Sequence, residues 1–305
     1  MQKRKGIRRS KSDRVFDVCN VILMTLFALI MLYPLYFVAI ASFSDPAAVS
    51  GGRVYFSVVD FSLQAYKSIL KETQIWVGYR NTLVYTLFGT FYNLALTIPA
   101  AYVLSKRNIP LHGFISWFFF LTMYFSGGMI PSYLLIKGMG LLDSPLVMIL
   151  GAGVSCYNLI VTRQFFSTSI PEALYESATI DGANDYRCFF SIAIPSSGPI
   201  IAVMALYYAV GHWNAYYNAL LYIRSRSLYP LQLVLRNILI NEESTSLVED
   251  VMASEDAIKA QLERVYLSYA MKYALIFIAA VPMLIAYPFV QRFFVKGIMV
   301  GSVKG

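Results

Sequence analysis

Six apolar stretches, each long enough to cross a lipid bilayer, govern what this chain can fold into. They cover residues 15–41, 78–104, 113–136, 145–166, 195–223 and 269–290. A bilayer core calls for about 20 apolar residues in a helix. Residues 16–40 and 273–290 carry no Lys or Arg, and residues 117–136 and 146–162 carry no charge of either sign. The second stretch opens on Arg80, which can snorkel to the interface, and holds Pro99 near its end. The fifth opens on Pro195 and Pro199 and carries His212, Asn214 and Asn218, so polar groups lie inside it. Only 14% of the 305 residues are charged and 58% are hydrophobic, against about one quarter charged in soluble domains. The expected fold class is all-α, a polytopic membrane protein with six transmembrane helices in a single integral domain, residues 1–305.

The first stretch follows a basic segment and ends on Ala39, Ile40 and Ala41, as a secretion signal does. Its apolar run is nearly twice the about 7–15 residues of a signal core, so it reads as an uncleaved anchor. Placing the amino terminus in the cytoplasm sorts the net charge of +8. Fourteen cations then fall inside, among them the basic amino terminus, Lys106, Arg107, Arg163, Arg187, Arg292, Lys296 and Lys304. They meet six acids, Asp13, Asp17, Glu172, Glu176, Asp181 and Asp185, while eleven cations meet eleven acids outside. The whole excess is cytoplasmic, which is the positive-inside pattern with both termini inside. The basic balance needs no nucleic-acid partner. Cys19, Cys156 and Cys188 stand singly, without CxxC spacing, and read as buried thiols with no disulfide or metal site.

This topology leaves outside loops at 42–77, 137–144 and 224–268, inside loops at 105–112 and 167–194, and a cytoplasmic tail at 291–305. The last outside loop is the most soluble in character, with Glu242, Glu243, Glu249, Asp250, Glu255, Asp256 and Glu263. From Ser254 it is rich in helix formers and is expected to feed the sixth span as a helix. Gly127, Gly128 and Pro131 interrupt the third span, so a broken or kinked helix is expected there, as a gate hinge or as a packing site.

The inside loop 167–194 carries the most information. Ser169 followed three residues later by Glu172 is spaced as a capping box, and Pro171 is tolerated in a first turn, so a helix is expected to start here. Gly182 provides a break, and Asn184 or Asp185 can cap a second short helix holding Tyr186, Phe189, Phe190 and Ile192. The result is a helical hairpin on the cytoplasmic face. An amphipathic helix lying on lipid would show a basic polar face. This loop instead sets Glu172, Glu176, Asp181 and Asp185 against the single Arg187, which favours a protein partner.

Glu176, Ser177, Ala178, three residues, Gly182, nine residues, then Ile192, Ala193, Ile194 and Pro195 resemble the EAA motif of ABC importer permeases. Ser177 replaces the second-position Ala and Ile194 replaces Leu; the spacing matches throughout. The resemblance extends over nearly the whole chain, to the maltose-type carbohydrate permeases. Residues 124–135, 208–222, 227–239 and 294–305 are similar to the subgroup that imports polysaccharide-derived oligosaccharides. What the resemblance implies is a type I ABC importer permease fold in a bacterial cytoplasmic membrane. The loop would be a coupling helix seated on the ATPase, with Glu172, Glu176, Ser177, Ala178, Asp181, Gly182 and Ala183 at the contact. The implied partners are a second six-helix permease, two cytoplasmic ATPase subunits that hold ATP and Mg, an extracellular sugar-binding protein that the loop 224–268 contacts, and an oligosaccharide substrate. The tail from Lys296 would reach the ATPase dimer. No cofactor and no catalysis are expected in this chain, which lacks the GxxxxGK[ST] phosphate loop.

Sugars stack on aromatic rings and hydrogen-bond to amides and hydroxyls. The fifth span offers both in Tyr207, Tyr208, His212, Trp213, Asn214, Tyr216, Tyr217 and Asn218. Asn214 and Asn218, spaced i, i+4, share a helical face and, with Trp213, lead the candidates. Tyr208, Tyr217 and, on the third span, Tyr124 follow. An interfacial aromatic belt with helix-to-helix hydrogen bonds accounts for the same residues. The alternatives to a sugar importer are an ABC permease for another solute and a secondary transporter that uses no ATPase. The latter calls for acids inside the spans or a repeated half, and the span interiors hold no Asp or Glu. A membrane enzyme is disfavoured because His112 and His212, the only histidines, lack an acid-base constellation in the sequence.

Overall fold

The first apolar stretch, rich in Leu, Ile, Met and Phe, folds as helix α1, Lys11–Ser42. The computed structural model of the protein describes residues 11–106, 109–151, 153–245 and 255–302. Within these residues the protein is helical and has no strand. After α1 come α2 (Pro46–Ser50), α3 (Gln64–Lys71), α4 (Thr73–Ser105), α5 (His112–Tyr124) and α6 (Met129–Gly138). Then follow α7 (Pro145–Leu150), α8 (Cys156–Ser169), α9 (Glu172–Ile180) and α10 (Asp185–Cys188). A π-helical turn, Phe189–Ala193, leads into α11 (Ile194–Ser196), α12 (Gly198–Trp213) and α13 (Tyr216–Tyr222). A 3-10 turn, Arg226–Leu228, precedes α14 (Leu231–Thr245) and the 48-residue α15 (Glu255–Ser302). The chain divides into two compact units, residues 1–71 with 242–278, and residues 72–241 with 279–305.

In the first unit the end of α1 supplies Ile40 and Ala41 to a small core with Ala48 and Val54, over which Phe37 and Tyr273 pack. The Phe37 and Tyr273 rings meet edge to face at 5.5 Å. Asp45 starts α2 by accepting hydrogen bonds from the Ala47 and Ala48 amides. Most of α1 remains exposed, Cys19 included, so the expectation of three buried thiols holds for Cys188 and not for Cys19. In lipid an outward apolar face is itself the low-energy arrangement, which is why Cys19 gains nothing from burial in protein.

In the second unit α4 is the central element and packs on α12 and α8. It is the more polar of the two long helices of the first hundred residues, with mean hydropathy 1.4 against 2.4 for α1. The reason is a row of buried Asn81, Thr82, Asn93 and Thr97 on its inner face. Each finds a partner, as polar groups in a dry interior must. Asn81 donates to the carbonyls of Ser227 and Tyr229, and Thr82 accepts from the Leu231 amide at 2.8 Å. These bonds fix the segment 226–235 against α4, with Leu231, Leu233, Val234 and Leu235 buried. Sequence reasoning placed this segment in a soluble outside loop. Residues 226–235 of that loop pack against α4, and Glu249 and Asp250 of the same loop lie outside the described residues.

Among the described residues three helices are continuous and apolar enough to cross a membrane, Ser12–Ser42, Thr73–Ser105 and Gln261–Ile285. The count rises to five if each of two bent pairs forms one crossing. In the first pair α5 and α6 are set at 113°, so the expected break in the third stretch is a turn of the chain and not a slight kink. Gly128 makes it, with φ 87° and ψ 175°, a conformation open essentially to glycine alone. In the second pair the segment Asp185–Ser196 meets α12 at 78°. The expected fifth stretch, 195–223, is therefore bent just before Gly198, and it breaks again between α12 and α13. The fourth stretch, 145–166, is divided too. Its helix stops at Leu150 and restarts at Cys156, where Ser155 caps α8 by accepting from the Asn158 amide. The expected helix from 254 into the sixth span is continuous as α15.

Candidate functional site

The hairpin expected at 167–194 is present, built differently at its start. Ser169 is the last residue of α8, and Pro171 precedes α9 with no side-chain cap, so the capping box does not form. The fixed φ of Pro171 and the extended backbone at Ile170 set the direction of α9 instead. Glu172 stands in the first turn, where the helix dipole favours a carboxylate. The end of α9 is a Schellman motif. The Gly182 amide donates to the Thr179 carbonyl at 3.0 Å and the Ala183 amide to the Ala178 carbonyl at 2.8 Å. Gly182 closes it at φ 79°, with open space around the position of a Cβ. Glycine is thus demanded there by backbone conformation and not by crowding. Asn184, the first of the two expected caps, accepts from the Arg187 amide at 2.9 Å and opens α10.

The hairpin turns its acids outward. Glu172, Glu176, Asp181 and Asp185 are exposed, as are Ser177 and Gly182, while Ala178 and Ala183 are half-buried. Between the acids project Ile180 at 86% exposure and Tyr186 at 77%. Large apolar side chains left so bare beside acids are of the kind that interaction surfaces carry. Sequence reasoning did not single out Ile180; its signal was its place at the last helical position before the Gly182 turn. Behind α9 lies a cavity of about 1210 Å³, bounded by Ser105, Lys106, Arg163, Thr168 and Glu176. Arg163 donates to the Leu104 carbonyl at 2.9 Å, joining α8 to the end of α4.

The substrate candidates separate into two groups. Tyr208 and Asn218 line a cavity of about 490 Å³ together with Asn93, Asn158, Tyr207 and His212. The break between α7 and α8 forms another wall through Gly151, Gly153 and Ser155. Its polar lining is made of amides, hydroxyls and one imidazole, mixed with apolar Val147, Met148, Val154 and Ala215. The Tyr208 hydroxyl lies 2.7 Å from the Thr97 hydroxyl and accepts from the Ser155 amide. His212 pairs with the Asn93 amide at 2.7 Å, and Asn93 donates to the Gly153 carbonyl. Trp213, by contrast, is 3% exposed and donates its indole N–H to the Ala279 carbonyl. It packs the bundle and does not face the cavity. Asn214 closes the end of α12, its side chain donating to the Val210 carbonyl at 3.0 Å. Because the helix ends there, Asn214 and Asn218 lie on separate helices and the shared face expected from their spacing does not exist. Tyr217 is exposed with its hydroxyl on the Met129 sulfur, and Tyr124 is exposed beside Phe120. His112 is bonded to the Leu104 carbonyl.

Helices long and apolar enough to cross a bilayer, joined to an exposed acidic hairpin, define the class as a membrane protein. The chain belongs to the family of binding-protein-dependent transport system inner membrane components, whose pattern matches residues 75–300. It is a permease subunit of a binding-protein-dependent importer, with the helical fold of type I ABC permeases. It is similar to the protein LplC of Bacillus subtilis, 36% identical over 98% of each chain. It is also similar to the polygalacturonan/rhamnogalacturonan transport system permease protein YtcP of the same organism, 37% identical over 96% of this chain and 99% of YtcP. Among solved structures it is similar to a bacterial ABC transporter involved in the import of the acidic polysaccharide alginate. That likeness has TM-score 0.82 and 34% identity, over 94% of this chain and 99% of the other.

Proposed function

We propose that this chain is one of two permease subunits of an ABC importer for oligosaccharides, working by alternating access in a bacterial cytoplasmic membrane. Each chain crosses six times with both ends inside. Two cytoplasmic ATPases hold ATP and Mg, and an extracellular binding protein delivers the sugar. The observation that carries this reading is the hairpin with its Schellman turn at Gly182, set outside the apolar helices with its acids and Ile180 exposed. An exposed helix ended by a rigid turn can seat in a groove and move as one piece. Glu172, Glu176, Ser177, Ala178, Asp181, Gly182 and Ala183 are its contact residues.

The sugar reading rests on the relatives and on the cavity beside Tyr208 and Asn218. At about 490 Å³ its size suits a small ligand, and its uncharged lining suits hydroxyl groups. The test is Gly182→Leu in the reconstituted transporter. The strained turn should abolish most uptake while the subunit inserts and ATP hydrolysis continues; unchanged uptake would overturn the coupling role. Uptake measured with neutral and uronic-acid oligosaccharides identifies the class, and failure of every sugar favours an ABC permease for another solute.

A further inference from the structure

Helix α9 of the coupling hairpin is held by few contacts, and those few are chemically distinctive. No residue of α9 is fully buried. Its inward side chain is Tyr175, which packs with the core formed by Tyr102, Phe166 and Ile170. Tyr102, near the end of α4, is 5% exposed and surrounded by rings: Phe166 of α8 at 5.7 Å, Tyr175 at 6.1 Å and Phe189 at 5.0 Å. Lys106 follows α4 and lays its ammonium 3.3 Å from the centre of the Tyr175 ring and 5.3 Å from that of Tyr102. Both distances lie inside the about 6 Å reach of a cation–π interaction. Burial holds the Lys106 ammonium below its ordinary pKa, while Cys188, Asp185 and Glu172 pull the other way. Burial also pushes the Tyr175 phenol up to about 12. On its far side the hairpin continues through the π-helical turn that begins at Phe189, and then through the 78° bend before α12. Wide π turns are weaker links than regular helix and recur at functional sites.

We propose that Lys106, Tyr175 and Tyr102 form a joint that makes α9 move as one body with the cytoplasmic end of α4, while the π-helical turn absorbs the motion toward α12. The inference rests on the coupling role proposed above and adds the route by which displacement enters the bundle. Lys106 and Tyr175 are positioning residues. The ring and the cation carry the joint; the Tyr175 hydroxyl is buried without a hydrogen-bond partner and contributes nothing to it.

The experiment compares K106M, K106R, Y175L and Y175F in the complete transporter, reading ATP hydrolysed per sugar imported. K106M and Y175L should raise this ratio at least about threefold, whereas K106R and Y175F, which keep cation and ring, should stay within about twofold of the parent. A ratio unchanged in K106M and Y175L, or raised as much by Y175F as by Y175L, overturns the joint. If a variant fails to assemble, hydrogen exchange of the full-length permease in nanodiscs decides the matter. Exchange over 172–180 should speed up in K106M, and identical exchange overturns the proposal. Gly182→Leu separates the two readings. If it uncouples and K106M does not, only the joint fails; if neither uncouples, the coupling role itself is wrong.

Discussion

Single residues carry the most exposed consequences of this structure. Gly89 sits where a Cβ would run into the ring of His212, and that ring is held by Asn93. Gly89→Ala should therefore displace the ring and lower stability by about 1–3 kcal/mol, as overpacked interiors do. Thermal melting in detergent reads this, with Gly113→Ala, where a Cβ meets open space, as the neutral control. Asp143 accepts from the Ser225 hydroxyl and from the amides of Ser225 and Arg224, tying the turn after α6 to the turn after α13. These bonds, the Ser225 hydroxyl first, hold its carboxyl below the ordinary 3.8. The lowered value means that the tie contributes above pH 3.8 and is lost as the pH falls through the folded-state value. Asp143→Asn should flatten the acid limb of a melting profile. Gly182 was legible in the sequence because fixed gaps and a demand for positive φ select glycine. The placement of Trp213 was not, since an indole lining a cavity and one bonded to a backbone carbonyl have the same letter.

At the level of elements, Gly128→Ala tests whether the turn between α5 and α6 is built on a glycine-only conformation. A cost of about 1–3 kcal/mol is expected, read as a lower melting temperature with the helix content retained. The same scale shows where sequence reasoning stops. The third stretch announced its interruption through Gly127, Gly128 and Pro131. The break after Trp213 had no such mark, because Asn214 and Ala215 are neither glycine nor proline, and the pairing of Asn214 with Asn218 assumed a helix that does not continue. The division of 145–166 was hidden for the opposite reason. Gly151 and Gly153 read as small apolar residues of a span until the Ser155 cap shows α8 starting anew. The helix α14 lay inside an apparent loop because its apolar run is short; contacts with α4, remote in sequence, are what bury Leu231 and Leu233.

For the whole molecule, the six-crossing arrangement proposed above predicts which side each turn faces. Single cysteines at Ser105, Thr168 and Asp181 should react with an impermeant maleimide only from the cytoplasmic face. Cysteines at Gly140 and Arg226 should react only from outside, and labelling of both sets from one side would break the topology. The row of Asn81, Asn93 and Thr97 on α4 bears on how such a chain is made. Thr97 and Asn93 find Tyr208 and His212 at separations of 111 and 119 residues. Those partners are synthesised long after α4 has left the ribosome. Until α12 is made, Asn93 and Thr97 lack the partners they hold in the folded protein, so a delay in synthesis between the two helices should lengthen the time in which α4 depends on other partners for these groups.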